Sequence, residues 1–206
     1  MNRQELIAML GRISKIMDEN RSRLIELDGI VGDSDLGLTM SDGFKAAFEA
    51  VSESGEQDLG KLLYQAGKAM GSKVPSTMGT LMAAGLMRAG KVLKGKTGLS
   101  DADVACLFEA YEAGVADLGK AKIGDKTFLD GFHPGVLALK AALEGGAPLS
   151  AASREAAEAA RKGFEHTATM VAVHGRAAAR GEASRTLKDP GAAVAALIMG
   201  ALASFH

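Results

Sequence analysis

Apolar residues recur every three or four positions through most of the chain, in long runs divided by glycine-rich or charged breaks. That spacing lays one apolar stripe along a helix. Alternation of β-branched residues is nearly absent, so the pattern predicts an all-α chain with eight helices. The first is expected over 3–27, with Leu6, Ile7, Met9, Leu10, Ile13, Ile16 and Met17 at helical spacing. The second covers 41–51 and ends at a polar stretch, Ser52 to Glu56. The third and fourth cover 59–70 and 80–92. Between them Val74 precedes Pro75 and is pushed out of helical angles, so 71–79 reads as a loop. Ser100 caps the fifth, with Asp101 and Asp103 in its positive first turn, and Gly119 ends it. Thr127 caps the sixth, with Asp130 in the capping-box position, and Gly145-Gly146-Ala147-Pro148 stops it. The seventh runs from a Ser150 cap to about His174. Asp189-Pro190-Gly191 opens the last, whose Val194, Leu197, Ile198, Met199 and Leu202 belong in the core.

Consecutive helices joined by short connections favour antiparallel neighbours. The longer loops, at 28–40, 71–79, 119–127 and 175–190, follow the first, third, fifth and seventh helices. An up-and-down array therefore gathers all four at one end. No repeat or linker divides the chain, so residues 1–206 are expected to form a single domain.

Composition narrows the picture. The chain has 206 residues, 47% hydrophobic and 24% charged, with a formal net charge of −1. That balance argues against nucleic-acid binding, which needs a basic face. No apolar run reaches the roughly 18 residues of a membrane span, so no membrane association is expected. Met1 to Glu5 lack an apolar signal core, so a cytoplasmic location is expected. Tryptophan is absent and tyrosine occurs twice, leaving alanine, methionine and leucine to build the core. Cys106, the sole cysteine, sits in an apolar helical pattern and reads as a buried packing residue.

The stretch from Leu27 to Gly37 carries aspartates at 28, 33 and 35. Asp28 would end a helix, with Asp33 and Asp35 in the loop after it, two apart and pointing the same way. Gly32 and Gly37 would supply backbone angles that fold the loop back toward Asp28. Converging carboxylates repel unless a cation sits between them, and hard oxygen donors suit Mg²⁺, which completes its shell with water and phosphate oxygens. The alternative is a solvated turn with helix-capping aspartates. A second segment, 71–80, leads into a helix N-terminus where free N–H groups attract anions, with Ser76 and Thr77 as hydroxyl donors; it also reads as an ordinary capped helix. A third, 119–128, is rich in Gly and Lys, but Asp125 stands where a Walker A lysine would be, and Asp125 and Lys126 read as a structural pair. A fourth holds Arg176 with Arg180, Glu182 and Arg185. An arginine there neutralises phosphoryl charge, or the loop carries only exposed ion pairs. His133 and His166 read as packing or solvent-facing, His174 as a possible partner contact, and His206 is the last residue.

Together these segments resemble the nucleotide-binding L subunit of bacterial dihydroxyacetone kinase, of the Dak2 domain family. Leu27-Asp28 through Gly32-Asp33-Ser34-Asp35-Leu36-Gly37 is similar to that family's aspartate signature. Gly124 to Asp130 is similar to its Gly-Asp-Lys-Thr segment, and Gly175-Arg176-Ala177, Gly181-Glu182 with Ser184, and Asp189 to Ala192 to its C-terminal signature. The resemblance implies an eight-helix antiparallel barrel with the nucleotide at one end. It implies that Asp28, Asp33 and Asp35 hold two Mg²⁺ ions bridging to ADP or ATP. Leu36, Gly37, Leu38 and Thr39 would touch the phosphates, as would Ser76, Thr77 and Met78. Gly119, Phe128, Asp189, Pro190 and Gly191 would line the adenosine end, and Arg176 would reach the phosphates as the catalytic group. The implied partners are a separate sugar-binding K subunit and a phosphotransferase-system M subunit, and a homodimer is expected.

The chain departs from that pattern where the family commonly has histidines, at Leu36 and in Thr186-Leu187, and Ala178-Ala179 replaces a Ser-Tyr pair. The leading expectation is phosphoryl transfer to dihydroxyacetone on the K subunit. The alternatives are an ATP-dependent kinase subunit for another small keto-sugar such as erythrulose, and a regulatory nucleotide-binding subunit.

Overall fold

The computed structural model describes residues 1–205; His206 lies outside the described residues. Nine α-helices and two 3-10 segments account for the regular structure among them. The helices are α1 (Arg3–Glu19), α2 (Arg21–Val31), α3 (Leu36–Ser52), α4 (Leu59–Lys73), α5 (Thr77–Val92), α6 (Asp101–Gly119), α7 (Phe128–Glu144), α8 (Leu149–His166) and α9 (Pro190–Ala203).

Helix α1 packs on α3, each later helix packs on the next through α9, and α9 returns to α1. The eight helices of this closed ring are those expected from the sequence, and the short α2 extends α1 beyond a break. The break falls at Asn20, whose side-chain amide and backbone N–H both bond to the Ile16 carbonyl. Neighbours run antiparallel: Asp18 near the end of α1 accepts a hydrogen bond from Ser41 near the start of α3 (2.8 Å), and Arg12 reaches Ser204 past the end of α9 (2.9 Å).

Leucine, methionine and alanine fill the interior, with Leu6, Met17, Met40, Leu62, Met70, Met82, Val194 and Leu202 fully buried. Near one end, Phe128 stacks on Phe132 with centroids 4.8 Å apart, and Phe108 and Tyr111 pack beside them. Helix α9 is buried as its composition demands. No described helix is long and apolar enough to cross a membrane.

Several boundaries differ from the sequence expectation. Helix α3 begins at Leu36 rather than Ser41, and α5 at Thr77 rather than Thr80. Helix α8 opens at Leu149 behind Pro148, so Ser150 is not its cap. It stops at His166 rather than His174, because the Thr167 hydroxyl turns back to the Phe164 carbonyl and the chain continues in 3-10 turns, Thr167–Thr169 and Arg176–Ser184. Cys106 is half-buried rather than buried.

Candidate functional site

Helix counting holds in the structure. The connections 32–35, 74–76, 120–127 and 167–189 meet at one end of the ring and enclose a cavity of about 620 Å³. Consequently α3, α5, α7 and α9 all start at this end. Their first turns carry N–H groups with no acceptor inside the helix and the positive end of the helix dipole.

The aspartates occupy the first connection. Asp28 lies in the last turn of α2, and its Oδ2 accepts from the backbone N–H of Asp35 (3.0 Å) and Leu36 (3.2 Å). It thereby caps α3, whose own N-cap residue, Asp35, makes no side-chain cap bond. The tight return needs Gly32, where a Cβ would sit 2.2 Å from Asp28 Oδ1. Gly37 likewise faces the Arg21 carbonyl, 2.2 Å from where its Cβ would be. Neither glycine has a positive φ; the left-handed residue is Ser34, at φ 65°. The glycines thus supply space rather than the special backbone angles expected of them.

One carboxylate oxygen from each of Asp28, Asp33 and Asp35 lies within 4.8 Å of the others. Burial raises the Asp35 carboxyl above its ordinary range, with Asp33 and Asp28 adding to the rise and Arg176 opposing it. Three crowded, partly exposed oxygen donors are a fitting set for a hard divalent cation. Arg176 closes on Asp33 at 2.5 Å from across the cavity mouth.

On the second connection, Ser76 caps α5 by accepting from Gly79 N–H at 3.1 Å, and Ser76, Thr77 and Met78 line the cavity. On the third, Thr127 and Asp130 form the expected capping box at the start of α7, and Gly119 and Phe128 line the wall. Asp189 caps α9, accepting from Ala192 N–H at 2.7 Å; with Pro190 and Gly191 it closes the far side. Burial pushes the Asp189 carboxyl up to about 7, with Asp130 contributing.

Of the residues expected at the site, Asp28, Asp33, Asp35, Leu36, Ser76, Thr77, Met78, Gly119, Phe128, Arg176, Asp189, Pro190 and Gly191 line this cavity. Gly37, Leu38 and Thr39 do not: Gly37 packs on α2, Leu38 is exposed and Thr39 is buried. Their main chain still forms the first turn of α3. Arg185 instead pairs with Glu182, outside the cavity.

Two ionisable residues of the wall, His174 and Lys126, are outside the expected set. His174 binds Asp125 at 2.9 Å, and Lys126 points inward to main-chain carbonyls. Asp125 and Lys126 therefore do not pair with each other. Their adjacency to the Thr127 cap was visible in the sequence, but the oxygens that Lys126 meets lie 44 to 61 positions away. His133 is held by Glu112 at 2.7 Å on the α6–α7 face, away from the cavity.

Comparison with known proteins agrees with this geometry. Residues 30–204 match the model of the DAK2 domain. The chain is 30% identical to the ADP-binding subunit of the PEP-dependent dihydroxyacetone kinase of Escherichia coli (strain K12), over 98% of this chain and 97% of that one. It is 34% identical to the L-erythrulose 1-kinase of Mycolicibacterium smegmatis, over 97% of this chain but 35% of that protein. Its fold superposes on the dihydroxyacetone kinase of C. freundii with a TM-score of 0.76 for the native form and 0.73 for the complex with AMP-PNP and Mg²⁺. Identity there is 22% and 21%, and this chain spans 34% of that one. The match along nearly all of its length means that this chain belongs to the DAK2 domain family, as a relative of the ADP-binding subunits of dihydroxyacetone kinase.

Proposed function

We propose that this chain binds Mg-ADP or Mg-ATP in the cavity and transfers a phosphoryl group to dihydroxyacetone held on a separate K subunit in the cytoplasm. One observation carries the reading. Three carboxylates within reach of a shared cation border a cavity onto which four helix N-termini converge. A cation site and an anion site thus lie side by side, which is what a metal-bound polyphosphate requires.

In this reading Asp28, Asp33 and Asp35 hold two Mg²⁺ ions. Bound Mg²⁺ supplies neutralisation of phosphate charge and a fixed orientation for the terminal phosphates. In the first turn of α3, Leu36 to Thr39, the N–H groups of Leu36 and Thr39 are taken by the Asp28 carboxylate and the Asp35 carbonyl, which leaves those of Gly37 and Leu38 to donate to phosphate oxygens. The first turn of α5 adds N–H and hydroxyl groups at Ser76, Thr77 and Met78. Gly119 and Phe128 meet the adenosine, with Asp189, Pro190 and Gly191 opposite. Arg176, already at the mouth beside Asp33, turns to the transferred group and offsets charge that develops there. Rate comes from positioning and charge compensation, without a covalent protein intermediate.

The likeness to ADP-binding subunits of PEP-dependent kinases favours ADP as the resident nucleotide, and in this reading a phosphotransferase-system M subunit rephosphorylates it. The test supplies the chain with K subunit and dihydroxyacetone, and either ATP alone or phosphoenolpyruvate with the phosphotransferase proteins. Product from phosphoenolpyruvate at catalytic ADP is expected. Product from ATP alone moves the chain to an ATP-using kinase, with erythrulose as the parallel acceptor, and product from neither removes the proposal.

A further inference from the structure

The connection between α6 and α7 contains a lysine whose charge is buried. Lys126 is 2% exposed and sits in left-handed backbone, at φ 62°. A non-glycine residue holds that conformation only where its surroundings fix it. Its ammonium donates to the carbonyls of Met170 (3.0 Å), Ser184 (2.5 Å) and Leu187 (2.6 Å). The Arg185 carbonyl lies farther off at 3.5 Å, so three donors are shared among four main-chain oxygens of the same segment.

Those oxygens belong to the two ends of one strap. Met170 follows α8, while Ser184 and Leu187 precede α9. Between them lie His174 and Arg176, which line the cavity. The residue before Lys126 holds the same strap. Asp125 accepts from Val173 N–H with its carbonyl (3.1 Å) and meets His174 Nε2 with its carboxylate (2.9 Å). Ser184 Oγ, accepting from Ala172 N–H and donating to the Gly181 carbonyl, pinches the strap from the other side. The Ser184 carbonyl also accepts from Leu187 N–H (3.1 Å), but no helix or sheet supplies a donor to the Met170 and Leu187 carbonyls, and buried main-chain oxygens require one.

We propose that Lys126 is a positioning residue: by gathering the carbonyls of Met170, Ser184 and Leu187 onto one buried ammonium, it sets the path of the 170–187 strap and so the place of Arg176 beside the aspartates. Lysine suits the task because an ammonium on a flexible stem offers three donors at a point, whereas a guanidinium is a planar fork. The catalytic consequence rests on the reading of Arg176 given above; the clamp itself does not.

The test therefore has two arms on the full-length protein. Hydrogen exchange in the ligand-free state compares wild type, Lys126→Met and Ser184→Ala. Amides of 170–187 are expected to exchange about tenfold faster or more in both variants, with α4 and α5 unchanged. Ser184→Ala carries this arm if Lys126→Met does not fold. Unchanged exchange across the strap overturns the clamp. In the second arm, phosphoryl transfer is measured for Lys126→Met, Arg176→Ala and the double variant. Lys126→Met is expected to lower kcat about tenfold with little change in KM, and to add nothing once Arg176 is gone. Losses that multiply in the double variant overturn action through Arg176. A wild type without metal-dependent transfer removes the reading of Arg176, and the exchange arm then decides the clamp alone.

Discussion

Asp28 finishes one helix and starts the next, because its carboxylate stands in for the missing side-chain cap of α3. Its loss should therefore be felt twice. Asp28→Ala is expected to cost about 1 kcal/mol in a urea melt, the usual worth of an N-cap, besides removing a cation ligand. Asp33 is different: it is 40% exposed, and its ion pair among the described residues is with Arg176, itself 68% exposed. Such surface pairs contribute about 0–1 kcal/mol, so Asp33→Ala should leave the melt nearly unchanged while abolishing Mg²⁺-dependent nucleotide binding. Equal melts for the two variants would contradict the capping role of Asp28. Asp189 makes a prediction with pH. Its carboxyl titrates near 7 in the folded chain, against an ordinary value of 3.8. Between those values the folded state keeps a proton that the unfolded chain has released. Stability should thus fall as pH rises through that window and level off above it. Asp189→Asn keeps a capping side chain without the titration, so the drop in melting temperature from pH 5 to pH 8 should be smaller in the variant.

At the scale of elements, the periodicity of apolar residues located every helix of the ring, yet it misplaced the starts of α3 and α5 and the end of α8. At α5 the cap is local, Ser76, and sits one residue past Pro75 inside the stretch taken as loop; at α3, and at α8 beyond the local Thr167 turn, the reasons are non-local. The start of α3 is capped from the preceding helix, so no Ser, Thr, Asn or Asp before it announces its first turn by bonding back to it. The end of α8 depends on Lys126 and Asp125, which lie far back in the sequence and draw the following carbonyls and amides out of helical register. Local signals served well where the cap is local, as at Ser100, Thr127 and Asp189. Close helix packing was not legible either. At the α4–α5 crossing a Cβ on Gly60 would lie 2.5 Å from the Gly90 carbonyl. Gly60→Ala should therefore force these helices apart and lower stability by roughly 1–3 kcal/mol, measured by thermal melting; an unchanged melt would show that the crossing can widen freely.

For the whole molecule, parity does the organising. Antiparallel helices place alternate connections at one end, and the ring closes with α9 against α1, so four helix starts and three aspartates share one cavity. This much followed from counting helices in the sequence. What did not follow is how the strap over the cavity is held, since Lys126 reads in the sequence as the partner of Asp125 rather than of carbonyls far along the chain. Leu187 joins Ala172 and Ala177 of the same strap, and Val31 of α2, in a small apolar cluster. The most direct measurement is calorimetric titration of ADP into the full-length protein, with Mg²⁺ and after chelation, repeated with Asp33→Asn. Binding in Mg²⁺ that weakens about tenfold or more on chelation and in the variant is expected, since phosphate and carboxylates then face each other without a cation. Equal affinity with and without Mg²⁺, or no binding in its presence, would contradict a magnesium–nucleotide site at this end of the ring.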